Sequence, residues 1–268
     1  MDHKIIISLA PTGGWGAGDG NPVTPDAVAS DVVLSVNAGA AVVHMHSRDE
    51  NGNLTADLSF FNRTASLIKE SCDVIIEAST GGLSDMSAEE RVLPVDNPHA
   101  QMGSLNIGSL NFGDEVYRNS VSDVRYWIRR MKERNVKPSL EIFDTGHLVT
   151  ALYLIDEGIV QPPCNFSFIF DVKWGMPWDF KLLDFLVKKI PEGSRWGVIF
   201  AGSSGFDSHL AAAGKGASFV RTGFEDSRCL DKGTAGSNAE LVSSLRERLE
   251  KAGFTAASVK EAGKILLP

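Results

Sequence analysis

Two histidines stand two residues apart at the end of an apolar run, Val42-Val43-His44-Met45-His46, and the polar turn Ser47-Arg48-Asp49 follows at once. Alternate side chains of a β-strand share a face, so a strand ending here would turn both imidazoles the same way. Such a pair is half of a metal site, and zinc would need a third protein ligand plus an open position for water or substrate. Three carboxylates, Glu141, Glu225 and Asp226, are candidates to supply it. Arg221 closes the run Ser218-Phe219-Val220 and has two readings. It forms a structural ion pair with Glu225 or Asp226, or it offers a guanidinium fork to a substrate carboxylate. Ser79-Thr80-Gly81-Gly82 is either a tight turn or a row of backbone N–H groups for an anion.

These residues need a scaffold that gathers them. Short apolar runs with few charges recur at 4–10, 41–46, 73–79, 100–106, 139–144, 165–171, 196–200 and 218–222, as expected of parallel strands buried on both faces. Helix signals alternate with them. Thr24 caps a helix with Pro25 at its first position, and Gly39 closes it. Asp57 and Ser59 begin a helix through Ser71, and a short helix is expected over 85–91. Ser122-Asp123 opens one over 124–134, with Val124, Trp127, Ile128 and Met131 on one face. Further helices are expected at 147–157, 179–189, 206–213, 237–252 and 258–266, with Ser237 or Asn238 capping the penultimate one.

Eight β-then-α units predict a single-domain (β/α)8 TIM barrel spanning 1–268; a doubly wound open sheet is the alternative. Function in such barrels sits at the C-terminal strand ends. Those ends here carry Thr12, His44 and His46, Ser79, Ser104 and Asn106, Glu141 and Asp144, and Arg221 with Glu225 and Asp226. The Gly-rich segment 13–20 follows the first strand and reads as a mobile loop of the active face.

The 268 residues carry a formal charge of −8, which argues against nucleic-acid or anionic-membrane partners. Cys72, Cys164 and Cys229 form no CxxC pair, so a reducing, cytoplasmic setting is expected, with no thiolate zinc site. No run is long enough to span a bilayer. GxGxxG, GxxxxGK[ST], GxSxG and HExxH are all missing, which leaves dinucleotide, P-loop and serine-hydrolase readings without support.

Taken in order, Val43-His44-Met45-His46-Ser47-Arg48-Asp49, Ser79-Thr80-Gly81-Gly82, Met102-Gly103-Ser104-Leu105-Asn106, Asn111-Phe112-Gly113, Glu141-Ile142-Phe143-Asp144-Thr145-Gly146 and Val220-Arg221-Thr222-Gly223-Phe224-Glu225-Asp226 resemble the β-keto acid cleavage enzymes over essentially the whole chain. The resemblance implies a zinc-dependent TIM barrel, usually a homotetramer, that converts a β-keto acid and acetyl-CoA into acetoacetate and a new acyl-CoA. It implies metal ligands His44, His46 and Glu225, a substrate-carboxylate arginine at Arg221, and a general base at Asp226. Ser79, Ser104 and Glu141 match polar positions around the substrate, Glu141 as a further catalytic candidate; Thr80, Gly81, Gly82 and Asn106, at the same strand ends, are expected to border the substrate with them. A metal-dependent lyase or aldolase of the hydroxymethylglutaryl-CoA-lyase type is the alternative enzyme, although its paired histidines lie late in the barrel.

Two departures from the family pattern stand out. Family members acting on an amino-substituted keto acid carry an acidic residue in the first-strand loop, where this chain has Trp15. That argues against a primary ammonium substrate; Trp15 would contact an apolar tail or a quaternary ammonium, or pack under the loop. The stretch 201–205 also departs from the family's Gly-Arg pattern, leaving substrate or CoA binding there open.

Overall fold

A computed structural model describes residues 3–82, 85–202 and 205–268. Among them, eight parallel strands close into a barrel: β1 (His3–Leu9), β2 (Ala40–Met45), β3 (Ile75–Ser79), β4 (Ala100–Asn106), β7 (Lys137–Ile142), β8 (Asn165–Phe170), β9 (Arg195–Phe200) and β10 (Phe219–Thr222). Closure is carried by β1, which pairs with β2 on one side and with β10 on the other. That continuous ring excludes the doubly wound open sheet. Among the described residues nine α-helices accompany it: α1 (Pro25–Ala38), α2 (Ser59–Ser71), α3 (Ala88–Val92), α4 (Val121–Glu133), α5 (Thr145–Asp156), α6 (Phe180–Val187), α7 (Asp207–Gly214), α8 (Asn238–Lys251) and α9 (Val259–Leu266). No described helix is long and apolar enough to cross a membrane.

Two pieces of sheet fall outside the alternation read from the sequence. A hairpin of β5 (Leu110–Phe112) and β6 (Glu115–Tyr117) rises between β4 and α4. The strand β11 (Phe254–Ala256) pairs with the outer end of β1. Both are three residues long, too short for a strand-length apolar period to show.

Several boundaries move. The strand β2 ends at Met45, so His46 follows it. The helix expected from Ser122 begins at Val121, because Ser120 Oγ accepts the Asp123 N–H at 3.2 Å and so serves as the cap. The short third helix starts at Ala88, where Ser87 and Glu90 form a capping box. Asp144, expected as a polar strand end, caps α5 through Gly146 N. Ser237 caps α8 and leaves Asn238 as its first residue.

The barrel interior is layered. Ile6, Val42, Ile75, Met102 and Phe219 form an apolar plug. One step further toward the C-terminal ends, the same inward face becomes polar, with His44, Glu77, Ser104, Ser139 and Ser167 all buried. The last step carries Ser79, Asn106, Glu141 and Arg221. An alternation that would be hydrophobic in an ordinary barrel core has been replaced by titratable groups at one end, where barrel enzymes keep their chemistry.

Candidate active site

His44 is the last inward-facing residue of β2, and His46 lies just past the strand end. Their Nε2 atoms are 3.2 Å apart. Glu225 comes from the loop after β10, and its Oε1 sits 3.5 Å from His44 Nε2 and 3.4 Å from His46 Nε2. A tetrahedral zinc with bonds of about 2.1 Å would hold its ligand atoms about 3.4 Å apart, so this nearly equilateral triangle fits such an ion. Among the described residues these three form the one His/Cys/Asp/Glu group of ligand spacing.

The protonation states fit as well. Burial pushes His46 down to about 4, leaving the neutral imidazole that metals bind. Burial alone would raise Glu225, but His46, His44 and Arg221 more than reverse this and hold it well below the usual carboxylate range. His44 Nδ1 bonds Glu77 Oε2 at 2.9 Å, a carboxylate behind the histidine that fixes its tautomer and turns the Nε2 lone pair toward its neighbours.

Glu77 did not emerge from the sequence reading. Its signal was present, an unexplained carboxylate inside the apolar strand Ile75-Ile76-Glu77-Ala78-Ser79. The parallel register of β2 and β3 sets it directly beside His44. Arg48 was also missed; it donates to Gly52 O at 2.7 Å, and its Nε is buried without a partner, as is His46 Nδ1. Both border a cavity of about 30 Å³ behind the ligands, enough for one water.

Arg221 settles into the ion pair. Its Nε donates to Asp226 Oδ2 at 2.9 Å and its Nη2 to Asp226 Oδ1 at 2.5 Å, with Glu225 Oε1 3.3 Å from Nη2. Burial would weaken its hold on the proton, but Asp226, Glu225 and Glu141 overcome this and keep it charged. Its Nη1 is buried with no hydrogen-bond partner, 3.9 Å from Glu141 Oε1. Of the two readings of Arg221, the structure shows the ion pair: two nitrogens are held by Asp226, and the third has no hydrogen-bond partner. Glu141 is pushed up to about 7, first by burial, against His44 and Arg221.

The loop bearing Glu225 is pinned from outside the barrel. Asn238 Oδ1 accepts the Phe224 N–H at 2.8 Å, and its Nδ2 donates to Pro11 O and Asp31 Oδ2, each at 2.8 Å. Glu225 N in turn donates to Ala10 O at 3.1 Å. Asn238, which looked like a helix cap, is a fully buried clamp.

Ser79 and Ser104 face one another with their Oγ atoms 3.4 Å apart. Gly81 N donates to Ser79 Oγ, and a Cβ on Gly81 would come within 2.8 Å of His46 Cε1, so this backbone lies directly against a candidate ligand. Thr80 is different. It is fully buried, and its hydroxyl donates to Ser104 O at 2.7 Å. Gly82 is fitted against Arg91, whose Cγ lies 2.6 Å from where a Cβ would sit.

Trp15 is 46% exposed and packs on Phe224 at 5.9 Å between ring centroids. It borders an open cleft of about 400 Å³ with Gly18, Asp19 and Arg228. The loop around it is braced by Asn21, whose amide bonds Gly13 N, Gly13 O and Gly16 O. Ser203 and Ser204 of the other departing loop lie outside the described residues.

Known proteins resemble this chain along nearly its whole length. The chain is 35% identical over 272 residues to the 3-keto-5-aminohexanoate cleavage enzyme of Fusobacterium nucleatum, covering 99% of this chain and 98% of that one. It is 31% identical over 274 residues to the 3-oxoadipate:acetyl-CoA acetyltransferase of Cupriavidus necator, covering 99% and 95%. Among solved structures, a ternary complex of ObcA with a C4-CoA adduct and oxalate superimposes with a TM-score of 0.77 at 18% identity, over 92% of this chain and 67% of that one. The sequence model of one family, described as beta-keto acid cleavage enzyme, matches residues 4–267. With that match, and with relatives aligned end to end, the chain belongs to the beta-keto acid cleavage enzyme family.

Proposed function

We propose that the protein is a zinc-dependent β-keto acid:acetyl-CoA acyltransferase. It would convert a β-keto acid and acetyl-CoA into acetoacetate and the acyl-CoA of the remaining fragment. One observation carries the reading: a ligand triangle of His44, His46 and Glu225 lies beside a buried arginine with one unpartnered nitrogen. A bound divalent ion would supply Lewis-acid polarisation of the substrate's keto and carboxylate oxygens.

The chain's own groups do the rest. Arg221 Nη1 is the free donor for negative charge on the substrate, and Asp226 keeps that guanidinium oriented. Asp226 also serves as the base that takes a proton from the carbon between the keto and carboxylate groups. That carbon forms a bond to the acetyl carbonyl carbon of acetyl-CoA, releasing CoA thiolate. The thiolate then attacks the original keto carbon and cleaves its bond to the same central carbon, which takes back a proton to complete acetoacetate. Glu141, held near 7, suits proton transfer in either direction at neutral pH. Ser79, Ser104, Asn106 and the Gly81–Gly82 backbone border the substrate.

Arg228 stands with its guanidinium 6.0 Å from the Trp15 ring centroid. A cation beside the indole favours an uncharged or anionic substrate tail over an ammonium. The three free cysteines support a reducing, cytoplasmic setting, and a homotetramer is proposed from the family resemblance. The acidic balance of −8 gives no support to a nucleic-acid partner.

The test incubates the zinc-loaded enzyme and acetyl-CoA with a panel of β-keto acids, and follows acetoacetate and new CoA esters by mass spectrometry. Absence of turnover across neutral, anionic and cationic keto acids with metal bound would refute the reaction.

A further inference from the structure

Tyr117 ends the hairpin strand β6, yet its hydroxyl reaches back to the rim. A Cβ on Gly81 would lie 3.3 Å from Tyr117 Oη and 2.8 Å from His46 Cε1, so the phenol stands one backbone thickness from a metal ligand. Arg91 Nη2 donates to that oxygen at 3.0 Å. A guanidinium cannot accept a proton, so the phenol's own proton needs an acceptor elsewhere.

Arg91 holds this arrangement rigidly. The guanidinium stacks between the rings of Tyr117 and Trp127, at 4.9 and 4.4 Å. Its remaining bonds go to neutral oxygens: Thr80 O, Arg118 O and Asn119 Oδ1. The cation is thereby fixed and stays a donor.

Among the described residues, the remaining side chain bonded to Tyr117 Oη is the amide of Asn106, with Nδ2 at 3.3 Å. In that orientation a second donor points at the phenol oxygen, while Asn106 Oδ1 is buried with no partner. Amide oxygen and nitrogen are distinguished by the bonds they make, and turning the amide over gives the phenol its acceptor. Its oxygen then accepts the Tyr117 proton, and its NH2 takes the unpartnered position as a donor for an incoming oxygen. Asn106 follows Met102 and Ser104 on the inward face of β4 and pairs in register with Glu141, so that NH2 group faces the barrel mouth.

We infer that Tyr117, clamped by Arg91, is a positioning residue that turns the Asn106 amide so that its NH2 group donates to the anionic or keto oxygens of the substrate. This rests on the acyl-transfer reading for the identity of the substrate, but not for the orientation of the amide.

The orientation is read by neutron diffraction from the deuterated protein. The Tyr117 deuteron should point at Asn106 Oδ1, and both Nδ2 deuterons should face the mouth; Nδ2 deuterons directed at Tyr117 would overturn the inference. That result holds even if wild-type enzyme turns over no keto acid, an outcome that sinks the reaction alone. With an active wild type, Tyr117→Phe should lower kcat/KM for the keto acid about tenfold or more at unchanged metal content. In an Asn106→Ala background the same change should cost nothing further, because the group it orients is gone. An equal loss in both backgrounds marks Tyr117 as merely structural. Asn106→Asp keeps an acceptor for Tyr117 but puts a negative oxygen where the donor stood. Its KM for the keto acid should rise above that of Asn106→Ala, and a wild-type KM would refute the donor role.

Discussion

His44 and Glu77 lie directly across from one another in the parallel register of β2 and β3, with Nδ1 and Oε2 2.9 Å apart. That contact fixes which nitrogen of His44 carries the proton. With Nδ1 donating to the carboxylate, Nε2 offers its lone pair to the point shared with His46 and Glu225.

Glu77→Gln should therefore weaken metal binding without removing any ligand. Outer carboxylates of this kind are worth about 10- to 100-fold in affinity. Competition against a chelator of known affinity measures it, and an unchanged constant would mean that Glu77 serves packing alone.

His46→Ala removes one corner of the proposed ligand triangle, and the enzyme should purify with far less than one metal per chain. Elemental analysis checks this, with thermal unfolding as a control for folding. Stoichiometric zinc in the variant would dismiss His46 as a ligand.

Much of this centre was legible in the chain, and the reason is local. His44 and His46 announce themselves because a period of two on an apolar strand has few uses for two imidazoles. The barrel followed from eight short apolar runs alternating with helix signals, and closure through β1 and β10 then brings Glu225 to them. Register was not legible. Glu77 becomes a partner of His44 only through the pairing of β2 with β3, which no sequence spacing encodes. Tyr117 was hidden for another reason: it sits on a hairpin three residues per strand, below the length at which periodicity speaks. Thr80 shows another limit of spacing. Its neighbours make it look like a substrate contact, and the bond of its hydroxyl to Ser104 O is visible only in the fold.

Asp226→Asn should keep the metal and lose turnover, by about 10²- to 10⁴-fold if the carboxylate is the base. The change also sets an amide N–H against the guanidinium of Arg221, which both carboxylate oxygens now bind. Arg221→Lys is the companion, since a single ammonium cannot replace the fork. Steady-state rates at measured metal content decide, and an active Asp226→Asn enzyme eliminates it as the base.

Asp31 gives a pH test away from the metal. Burial raises it from 3.8 to about 6, against the hydrogen bond from Asn238. The folded state thus holds this proton more tightly than the unfolded chain. Its contribution to stability is full below pH 3.8 and is lost as pH rises through about 6, on the order of 3 kcal/mol in all. Asp31→Asn can still accept from Asn238 and does not titrate. Relative to wild type, the variant should gain about 1 kcal/mol in urea unfolding between pH 5 and 7; a constant difference would count against a raised Asp31.

Gly223 is where the loop bearing Glu225 leaves β10, with φ at 144° and the Ala10 carbonyl oxygen 2.2 Å from where a Cβ would sit. The clash is with backbone, so no side chain can move aside to relieve it. The strands themselves would have to part, and Ala10 O is the acceptor for Glu225 N at 3.1 Å. Gly223→Ala should consequently lose stability and metal together, by about 3 kcal/mol or more in unfolding. Denaturant titration and elemental analysis of the same sample test the coupling. A variant as stable as wild type, with its zinc intact, would mean that the approach of Gly223 to Ala10 does not hold Glu225 in place.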